Sequence, residues 1–187
     1  MSEWLMLPNL LTLARMGLTP WAGVAIASRN YETALPVLFV AGITDGLDGY
    51  IARRYQMQSR LGAKLDPIAD KLLAATVFLA LAINGGVPLW MAGLVLGRDL
   101  MILSFATWAL WRGVKAELAP TLWGKLSTLL QLMLAVAVVL RESLELSGAD
   151  PPLSALLWAS AAMTAWSGLH YAWVGRRLAA EARRSTD

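Results

Sequence analysis

Residues 44–71 read T-D-G-L-D-G-Y-I-A-R-R-Y-Q-M-Q-S-R-L-G-A-K-L-D-P-I-A-D-K and lie between two runs that are almost wholly apolar. The stretch holds four aspartates, Asp45, Asp48, Asp66 and Asp70. The first two are three residues apart and the second two are four apart, so each pair shares one face of a helix. An ionised carboxylate at membrane depth costs about 2.5–3.5 kcal/mol. We therefore expect the four carboxylates to hold something cationic between them.

The composition indicates a protein embedded in a membrane. Of its 187 residues 57% are hydrophobic and only 16% are charged, with a mean hydropathy of +0.54. A soluble domain usually carries about 25% charged residues. The absence of cysteine excludes disulfides, thiolate zinc sites and cysteine nucleophiles. The length is that of one domain, the net charge of +3 is modest, and we expect no nucleic-acid partner.

Six apolar segments are long enough to cross a membrane, which takes roughly 20 helical residues. Helix is expected because every backbone polar group in lipid must be satisfied within its own segment. The predicted spans are residues 10–28, 33–53, 61–84, 88–111, 118–140 and 153–174. The sequence thus predicts one all-α membrane domain, with an interfacial helix over residues 1–9, a six-helix bundle over 10–174 and a basic tail over 175–187.

Lysine and arginine concentrate on one side of the predicted spans. That side receives Arg53, Arg54, Arg60, Lys64, Arg112, Lys115, Arg176, Arg177, Arg183 and Arg184. The opposite side has only Arg29 and Arg141. Because basic loops stay in the cytoplasm, we expect both termini and the site to face the cytoplasm of a bacterial inner membrane, or the matrix in a mitochondrial inner membrane.

The four aspartates predict a site for hard divalent cations. The loop between the second and third predicted spans is short, so both aspartate pairs should face one pocket. Oxygen ligands without His or Cys select Mg²⁺, Mn²⁺ or Ca²⁺. Two ions about 3.5–4 Å apart would use all four carboxylates and form a clamp for displacement at phosphorus. Gly49 and Gly62 permit close backbone approach, and Arg53 can reach a phosphate.

Three other interpretations of the aspartates are open. The run D-G-L-D-G resembles the start of a calcium loop, but Leu47, Tyr50 and the membrane setting argue against one. The carboxylates could line an ion pathway, as in a divalent-cation transporter or channel. They could also form structural salt bridges with basic neighbours, namely Arg53, Arg54, Lys64 and Lys71.

The pattern Asp45-x-x-Asp48-Gly49-x-x-Ala52-Arg53, eight residues, Gly62-x-x-x-Asp66-x-x-x-Asp70 matches without a gap the signature of the CDP-alcohol phosphotransferases. The segment Pro8-Asn9-Leu10-Leu11-Thr12-x-x-Arg15 resembles this family's entry to the first span. The resemblance extends over nearly the whole chain. It implies a six-span enzyme with a short amphipathic N-terminal helix, commonly paired as a homodimer.

The resemblance also implies roles for individual residues. Asp45, Asp48, Asp66 and Asp70 would hold two divalent metal ions, Mg²⁺ or Mn²⁺, and Asp70 would be the general base toward the acceptor alcohol. The alcohol would attack the phosphorus that bears the diacylglycerol, with CMP leaving. The residues implied for CDP-diacylglycerol binding are Asn9, Gly49, Arg53, Ser59 and Gly62.

The acceptor must be inferred from residues outside the signature. The chain resembles phosphatidylglycerophosphate synthases at Gly124-Lys125, but has Ser127 where that group usually carries a second lysine. Arg98-Asp99, Thr128-x-x-Gln131 and Tyr171-x-x-x-Gly175-Arg176 resemble the cardiolipin synthases. One cation fewer suits phosphatidylglycerol, a phosphodiester, better than glycerol-3-phosphate.

We therefore predict transfer from CDP-diacylglycerol to phosphatidylglycerol, a cardiolipin synthase activity. Transfer to glycerol-3-phosphate is the alternative. The candidate acceptor-binding residues are Arg98, Arg112 and Lys125, and their other interpretation is as basic anchors that snorkel to the membrane interface.

Overall fold

The computed structural model describes residues 7–54, 62–111, 121–146, 148 and 150–184. Within these ranges only the backbone is described at residues 7–8, 45–54, 62–64, 66–67, 110 and 178–184. The described residues form helices and the turns between them and contain no strand, which confirms the all-α prediction. The helices are α1 (Leu7–Ala27), α2 (Tyr31–Arg54), α3 (Gly62–Ile83), α4 (Leu89–Trp111), α5 (Leu122–Ser143) and α6 (Asp150–Arg184).

Three segments of these helices are long and apolar enough to cross a membrane: Asn9–Ala27 of α1, Leu89–Ala109 of α4 and Leu122–Ser143 of α5. A shorter apolar segment, Tyr31–Thr44, forms the first part of α2. The charged residues of the aspartate stretch occupy the rest of α2 and the start of α3. A membrane protein is supported, and a set of six spans stays a prediction.

The helix bounds follow the predicted spans closely, with differences at both ends of the chain and at α5, which covers Leu122–Ser143 where residues 118–140 were predicted. Residues 7–9 of the predicted interfacial helix belong to α1, and residues 1–6 lie outside the described residues. Helix α6 begins earlier than predicted, since Pro151 and Pro152 fall in its first turn, where a missing N–H costs no helical hydrogen bond. It also continues past residue 174 to Arg184, because residues 176–184 contain no glycine or proline.

The turns that end α1, α3 and α5 share one geometry. In each, a residue with positive φ follows the helix: Arg29 at 58°, Gly85 at 78° and Glu145 at 48°. The next amide then donates to a carbonyl five residues back, as from Asn30 to Ala25 at 2.9 Å. This is the Schellman arrangement, which satisfies the last helical carbonyls. It lets α2 follow α1 after only a few residues.

The chain divides into two compact units, the first comprising residues 1–89 and 135–147. In this unit α1 packs against both α2 and α3. Its core consists of small and branched side chains such as Ala22, Ile26, Ala34 and Leu81. Small residues let membrane helices approach closely, so the unit holds the two aspartate-bearing helices against a common neighbour.

The second unit comprises residues 90–134 and 148–187, and therefore contains α4, most of α5 and α6. Its interior is unusually polar, since Ser127, Gln131, Ser160 and Thr164 are all buried. Helix α6 also approaches α4 closely, because a Cβ at Gly175 would lie 2.8 Å from the ring of Phe105.

Candidate active site

The four aspartates lie on the helices where the sequence predicts them. Asp45 and Asp48 are in the second half of α2, and Asp66 and Asp70 are in the first half of α3. The side chains of Asp45, Asp48 and Asp66 lie outside the described residues. Among the side chains that are described, no three His, Cys, Asp or Glu residues form a metal-binding group. Convergence of all four carboxylates therefore stays a prediction.

The side chain of Asp70 is described, and it pairs with an arginine from another helix. Nη1 of Arg15 on α1 donates to Oδ1 of Asp70 on α3. The Arg15 side chain is fully buried, whereas that of Asp70 is 49% exposed. One side of the Asp70 carboxylate thus lies against a buried cation, while much of its surface stays accessible to a reactant.

Arg15 belongs to a polar stripe along α1. Asn9, Thr12, Arg15 and Thr19 recur every three or four residues and are each at most 1% exposed. The hydroxyl of Thr19 donates to the carbonyl oxygen of Arg15 at 2.9 Å. Polar residues in an apolar helix avoid lipid and commonly mark a functional pocket. Asn9, predicted to bind CDP-diacylglycerol, lies in the stripe, so α1 joins α2 and α3 as a wall of the candidate site.

Arg15 is not among the site residues that were predicted from the sequence. The sequence does contain a signal for it, since a lone arginine in an apolar span must find an anionic partner. Arg15 is the only charged residue between positions 4 and 28. Periodicity alone does not identify the partner, because Asp70 lies 55 residues away.

The chemistry of the predicted donor set fits a divalent metal. Carboxylate oxygens are the ligands that Mg²⁺ and Mn²⁺ prefer, and Asp70 offers a half-exposed carboxylate. The residues that would hold the ions are the four aspartates, whose spacing places each pair on one helix face.

The remaining predicted nucleotide-binding residues are only partly described. The backbones of Gly49 and Arg53 lie in α2, and Gly62 is the first residue of α3. Ser59, and Arg112 on the acceptor side, fall outside the described residues. The roles of these five residues stay predictions.

Arg98, a predicted acceptor-binding residue, lies on α4 in the second unit and is only 6% exposed. Its Nη1 donates to Oδ1 of Asp99 at 2.6 Å. Its Nη2 donates to Oγ of Ser167 at 3.1 Å and to the carbonyl oxygen of Gly124 at 3.4 Å. The guanidinium also lies 5.6 Å from the centre of the Tyr171 ring. Arg98 thus connects α4 to both α5 and α6.

Lys125, the second described acceptor candidate, is exposed in the first turn of α5. That turn begins at Thr121, whose Oγ1 accepts from the Gly124 amide at 3.1 Å. The Thr121 amide donates to the Tyr171 hydroxyl at 3.2 Å. A Cβ at Gly124 would lie 2.9 Å from that hydroxyl and 3.2 Å from Nη2 of Arg98. Glycine at position 124 therefore lets the start of α5 pass close to α4 and α6, which brings the backbone of Lys125 near Arg98.

Three buried polar side chains join α5 to α6 within the second unit. Nε2 of Gln131 donates to Oγ1 of Thr164 at 2.9 Å and to Oγ of Ser127 at 3.3 Å. The two hydroxyls lie 3.2 Å apart, and Thr164 donates to the Ser160 carbonyl at 2.7 Å. We call Ser127, Gln131 and Thr164 the α5–α6 polar seam. The seam explains why Ser127, singled out from the sequence, is fully buried.

Comparison with known proteins gives a consistent result. A family model described as CDP-alcohol phosphatidyltransferase matches residues 5–166. The CMP-forming cardiolipin synthase of Rattus norvegicus is 32% identical over 185 residues, which cover 88% of this chain and 61% of the relative. The human cardiolipin synthase matches with the same identity and coverage. The chain thus spans less than two thirds of the length of these two relatives.

A bacterial relative matches over almost its full length. The CDP-diacylglycerol–glycerol-3-phosphate 3-phosphatidyltransferase of Haemophilus influenzae is 31% identical over 177 residues, which cover 91% of this chain and 93% of the relative. The matched region of the family model contains α1, the aspartate stretch and the α5–α6 polar seam. Because the family model matches most of the sequence and the Haemophilus relative matches 91% of it, the chain belongs to the CDP-alcohol phosphatidyltransferase family.

Proposed function

We propose that this chain is a cardiolipin synthase, which transfers the phosphatidyl group of CDP-diacylglycerol to phosphatidylglycerol and releases CMP. Family membership supports transfer from a CDP-linked donor. The rat and human relatives carry the cardiolipin synthase name and the Haemophilus relative a glycerol-3-phosphate name, at nearly equal identity. The choice of acceptor therefore rests on residues of this chain.

One observation carries the choice of phosphatidylglycerol, namely the burial of Ser127. The phosphatidylglycerophosphate synthases usually have a second lysine at this position, and such a lysine adds a cation for the dianionic glycerol-3-phosphate. Here Ser127 is 0% exposed and its hydroxyl lies 3.2 Å from that of Thr164. The side chain at position 127 thus belongs to the α5–α6 polar seam, and the exposed basic residue in the first turn of α5 is Lys125. A phosphodiester acceptor requires fewer cations than a phosphomonoester does.

The reaction that we propose forms one P–O bond and breaks another. The primary hydroxyl of the phosphatidylglycerol head group attacks the phosphorus that bears the diacylglycerol, and the bond from that phosphorus to the CMP oxygen breaks. Asp70 accepts the proton of the attacking hydroxyl. Its partly exposed carboxylate is compatible with this role, since a base must reach the reacting group.

Two divalent ions, Mg²⁺ or Mn²⁺, would be held by Asp45, Asp48, Asp66 and Asp70. When bound, such ions supply neutralisation of the diphosphate and of the leaving group. Asn9, Gly49, Arg53, Ser59 and Gly62 would bind the CDP part of the donor. Arg98, Arg112 and Lys125 remain the candidates on the acceptor side.

We further propose that the enzyme is a homodimer of six-span chains, with its site at the cytoplasmic end of the bundle. The location would be a bacterial inner membrane, or the matrix face of a mitochondrial inner membrane. The excess of lysine and arginine on that side of the predicted spans supports this orientation. Sedimentation of the protein in detergent would test the dimer, which a monomeric mass would exclude.

Phosphatidylglycerophosphate synthase is the second candidate function. The observation that favours it is the match to the Haemophilus relative over 93% of that protein, at 31% identity. The two activities share donor, metal ions and leaving group, so only the acceptor distinguishes them.

The test is an acceptor assay with the purified full chain in detergent micelles containing CDP-diacylglycerol and Mg²⁺ or Mn²⁺. Release of CMP that depends on phosphatidylglycerol, with formation of cardiolipin, would support our proposal. Release that depends on glycerol-3-phosphate would instead support the second candidate. No release with either acceptor, together with metal flux in liposomes, would favour a divalent-cation transporter.

A further inference from the structure

We propose that Arg15 is a positioning residue for the reaction, because its guanidinium on α1 holds the Asp70 carboxylate of α3 in the orientation that accepts the proton. The inference rests on the proposed function, in which Asp70 is the general base. It concerns a contact between helices that are far apart in sequence, since the two residues are separated by 55 positions.

The first step of the argument is the unequal burial of the pair. The Arg15 side chain is 0% exposed and that of Asp70 is 49% exposed. An exposed ion pair contributes little because both long side chains stay mobile and solvated. A fully buried guanidinium has few conformations open to it, so the direction of its Nη1–H bond is fixed by the packing around it. Arg15 therefore acts as the rigid member of the pair.

The second step concerns what holds Arg15 itself. Among the side chains that the structure describes, it is the largest that is fully buried, and it lies on the α1 stripe that also contains Asn9, Thr12 and Thr19. Helix α1 packs against both α2 and α3. Burying a guanidinium costs several kcal/mol unless an anion and further hydrogen bonds compensate it. An apolar side chain would be enough if position 15 only had to pack tightly. The buried arginine beside the proposed base therefore indicates a role toward Asp70.

The third step is the effect on Asp70. A carboxylate with a hydrogen bond to a buried donor loses rotational freedom while its exposed surface can still meet a reactant. Partners of this kind orient the groups that bind metal ions or move protons, and removal of one typically costs about 10–100-fold in affinity or activity. Correct orientation is needed mainly as the proton moves, so the loss should appear in kcat more than in KM.

A purely structural salt bridge is the competing explanation, and kinetics on folded protein distinguish the two. We would purify the full-length Arg15→Met and Arg15→Lys variants with wild type, and measure kcat and KM for CDP-diacylglycerol together with the melting temperature. Arg141→Met is the matched control. Its guanidinium also forms an ion pair, with Glu142 at 3.0 Å, but both side chains are about one-third exposed and lie outside the proposed machinery.

We expect Arg15→Met to lower kcat by about 10–100-fold with little change in KM. Arg15→Lys should recover part of the loss, because it keeps the charge but not the planar fork. Arg141→Met should turn over like wild type. Wild-type kcat in folded Arg15→Met would overturn the inference. If Arg15→Met does not fold, Arg15→Lys decides: a lower kcat at an unchanged melting temperature supports the inference, and wild-type kcat overturns it.

A second measurement does not depend on activity. If the two side chains interact, Arg15→Met should lower the melting temperature more in the wild-type background than in the Asp70→Asn background. Equal shifts in the two backgrounds would contradict the pairing. Failure of the proposed function looks different, because wild type would then release no CMP from CDP-diacylglycerol with phosphatidylglycerol. If it released CMP with glycerol-3-phosphate instead, the Arg15 variants would be compared with that acceptor.

Discussion

Gly23 on α1 lies so close to Thr76 on α3 that a Cβ at position 23 would come within 2.5 Å of the Thr76 Cγ2 atom. The absence of a side chain at Gly23 thus lets α1 and α3 pack closely. These are the two helices that carry the ion-paired side chains of Arg15 and Asp70. At Gly17, on the same helix, nothing lies within 4 Å of the corresponding position. Replacing each of these two glycines by alanine therefore distinguishes the effect of close packing on stability from the effect of helix propensity.

Gly23→Ala should destabilise the protein by about 1–2 kcal/mol, because overpacking costs more than the gain in helix propensity. Gly17→Ala should leave the stability unchanged or raise it. Adding Thr76→Ser to Gly23→Ala removes the clashing methyl group and should restore most of the loss. Thermal unfolding in detergent measures all of these variants. A Gly23→Ala protein as stable as Gly17→Ala would show that the helices are farther apart than the structure indicates.

Removing a hydrogen bond from the α5–α6 polar seam should also lower the stability of the protein. Thr164→Val removes the hydroxyl that accepts from Gln131 at 2.9 Å and leaves the buried amide without that bond. Interhelical hydrogen bonds in membrane proteins contribute about 0.6 kcal/mol on average, but a buried group left unsatisfied costs about 1–3 kcal/mol. We therefore expect a destabilisation of about 1–2 kcal/mol in a denaturant titration.

Thr107→Val is the control for this substitution. Thr107 is exposed, and its hydroxyl donates only to the Leu103 carbonyl of its own helix, at 2.8 Å. Its replacement should change the unfolding free energy by less than about 0.5 kcal/mol, as for other surface positions. Equal effects at positions 107 and 164 would mean that the seam contributes nothing to stability.

Asp70→Asn tests the proposed base directly. The amide keeps the size of the side chain but cannot accept the proton, and loss of a general base typically lowers the rate by about 10²–10⁴-fold. We expect CMP release to fall by that factor, while Mn²⁺ binding, followed by electron paramagnetic resonance, is largely kept. Asp150→Asn makes the same change in the first turn of α6, and should leave turnover unaltered. Unchanged turnover in Asp70→Asn would remove Asp70 from the mechanism.

The proposed orientation can be tested without background labelling, because the chain has no cysteine. Leu144→Cys lies in the turn after α5, on the side with few basic residues, and Arg176→Cys lies near the end of α6 on the basic side. In intact bacterial cells a membrane-impermeant maleimide should label position 144 and not position 176. Permeabilised cells should label both. The reverse pattern in intact cells would place the proposed site on the outer face.

The helical architecture can be predicted from the amino-acid sequence alone, because helix formation depends on local properties. Apolar runs of spanning length, separated by turn residues such as Asn30 and Gly85, predict the order of the helices and most of their bounds. The spacing of the aspartates also placed them correctly on α2 and α3. These signals involve residues that are close in the chain, so the helices can be predicted without knowledge of the tertiary structure. The extension of α6 to Arg184 was missed because the predicted span ended with the continuous apolar run at residue 174, although arginine, glutamate and alanine continue a helix well.

Contacts between side chains that are distant in the sequence depend on how the helices pack, and local patterns do not predict them. The sequence shows that Arg15 needs an anion, and four aspartates were available to it; the packing of α1 against α3 selects Asp70. In the same way, the sequence made Arg98 a candidate for binding the acceptor, but only the structure shows its hydrogen bonds to Gly124 and Ser167. The physical reason is that a side chain's partner depends on how helices cross, and the crossing depends on close contacts such as that between Gly23 and Thr76.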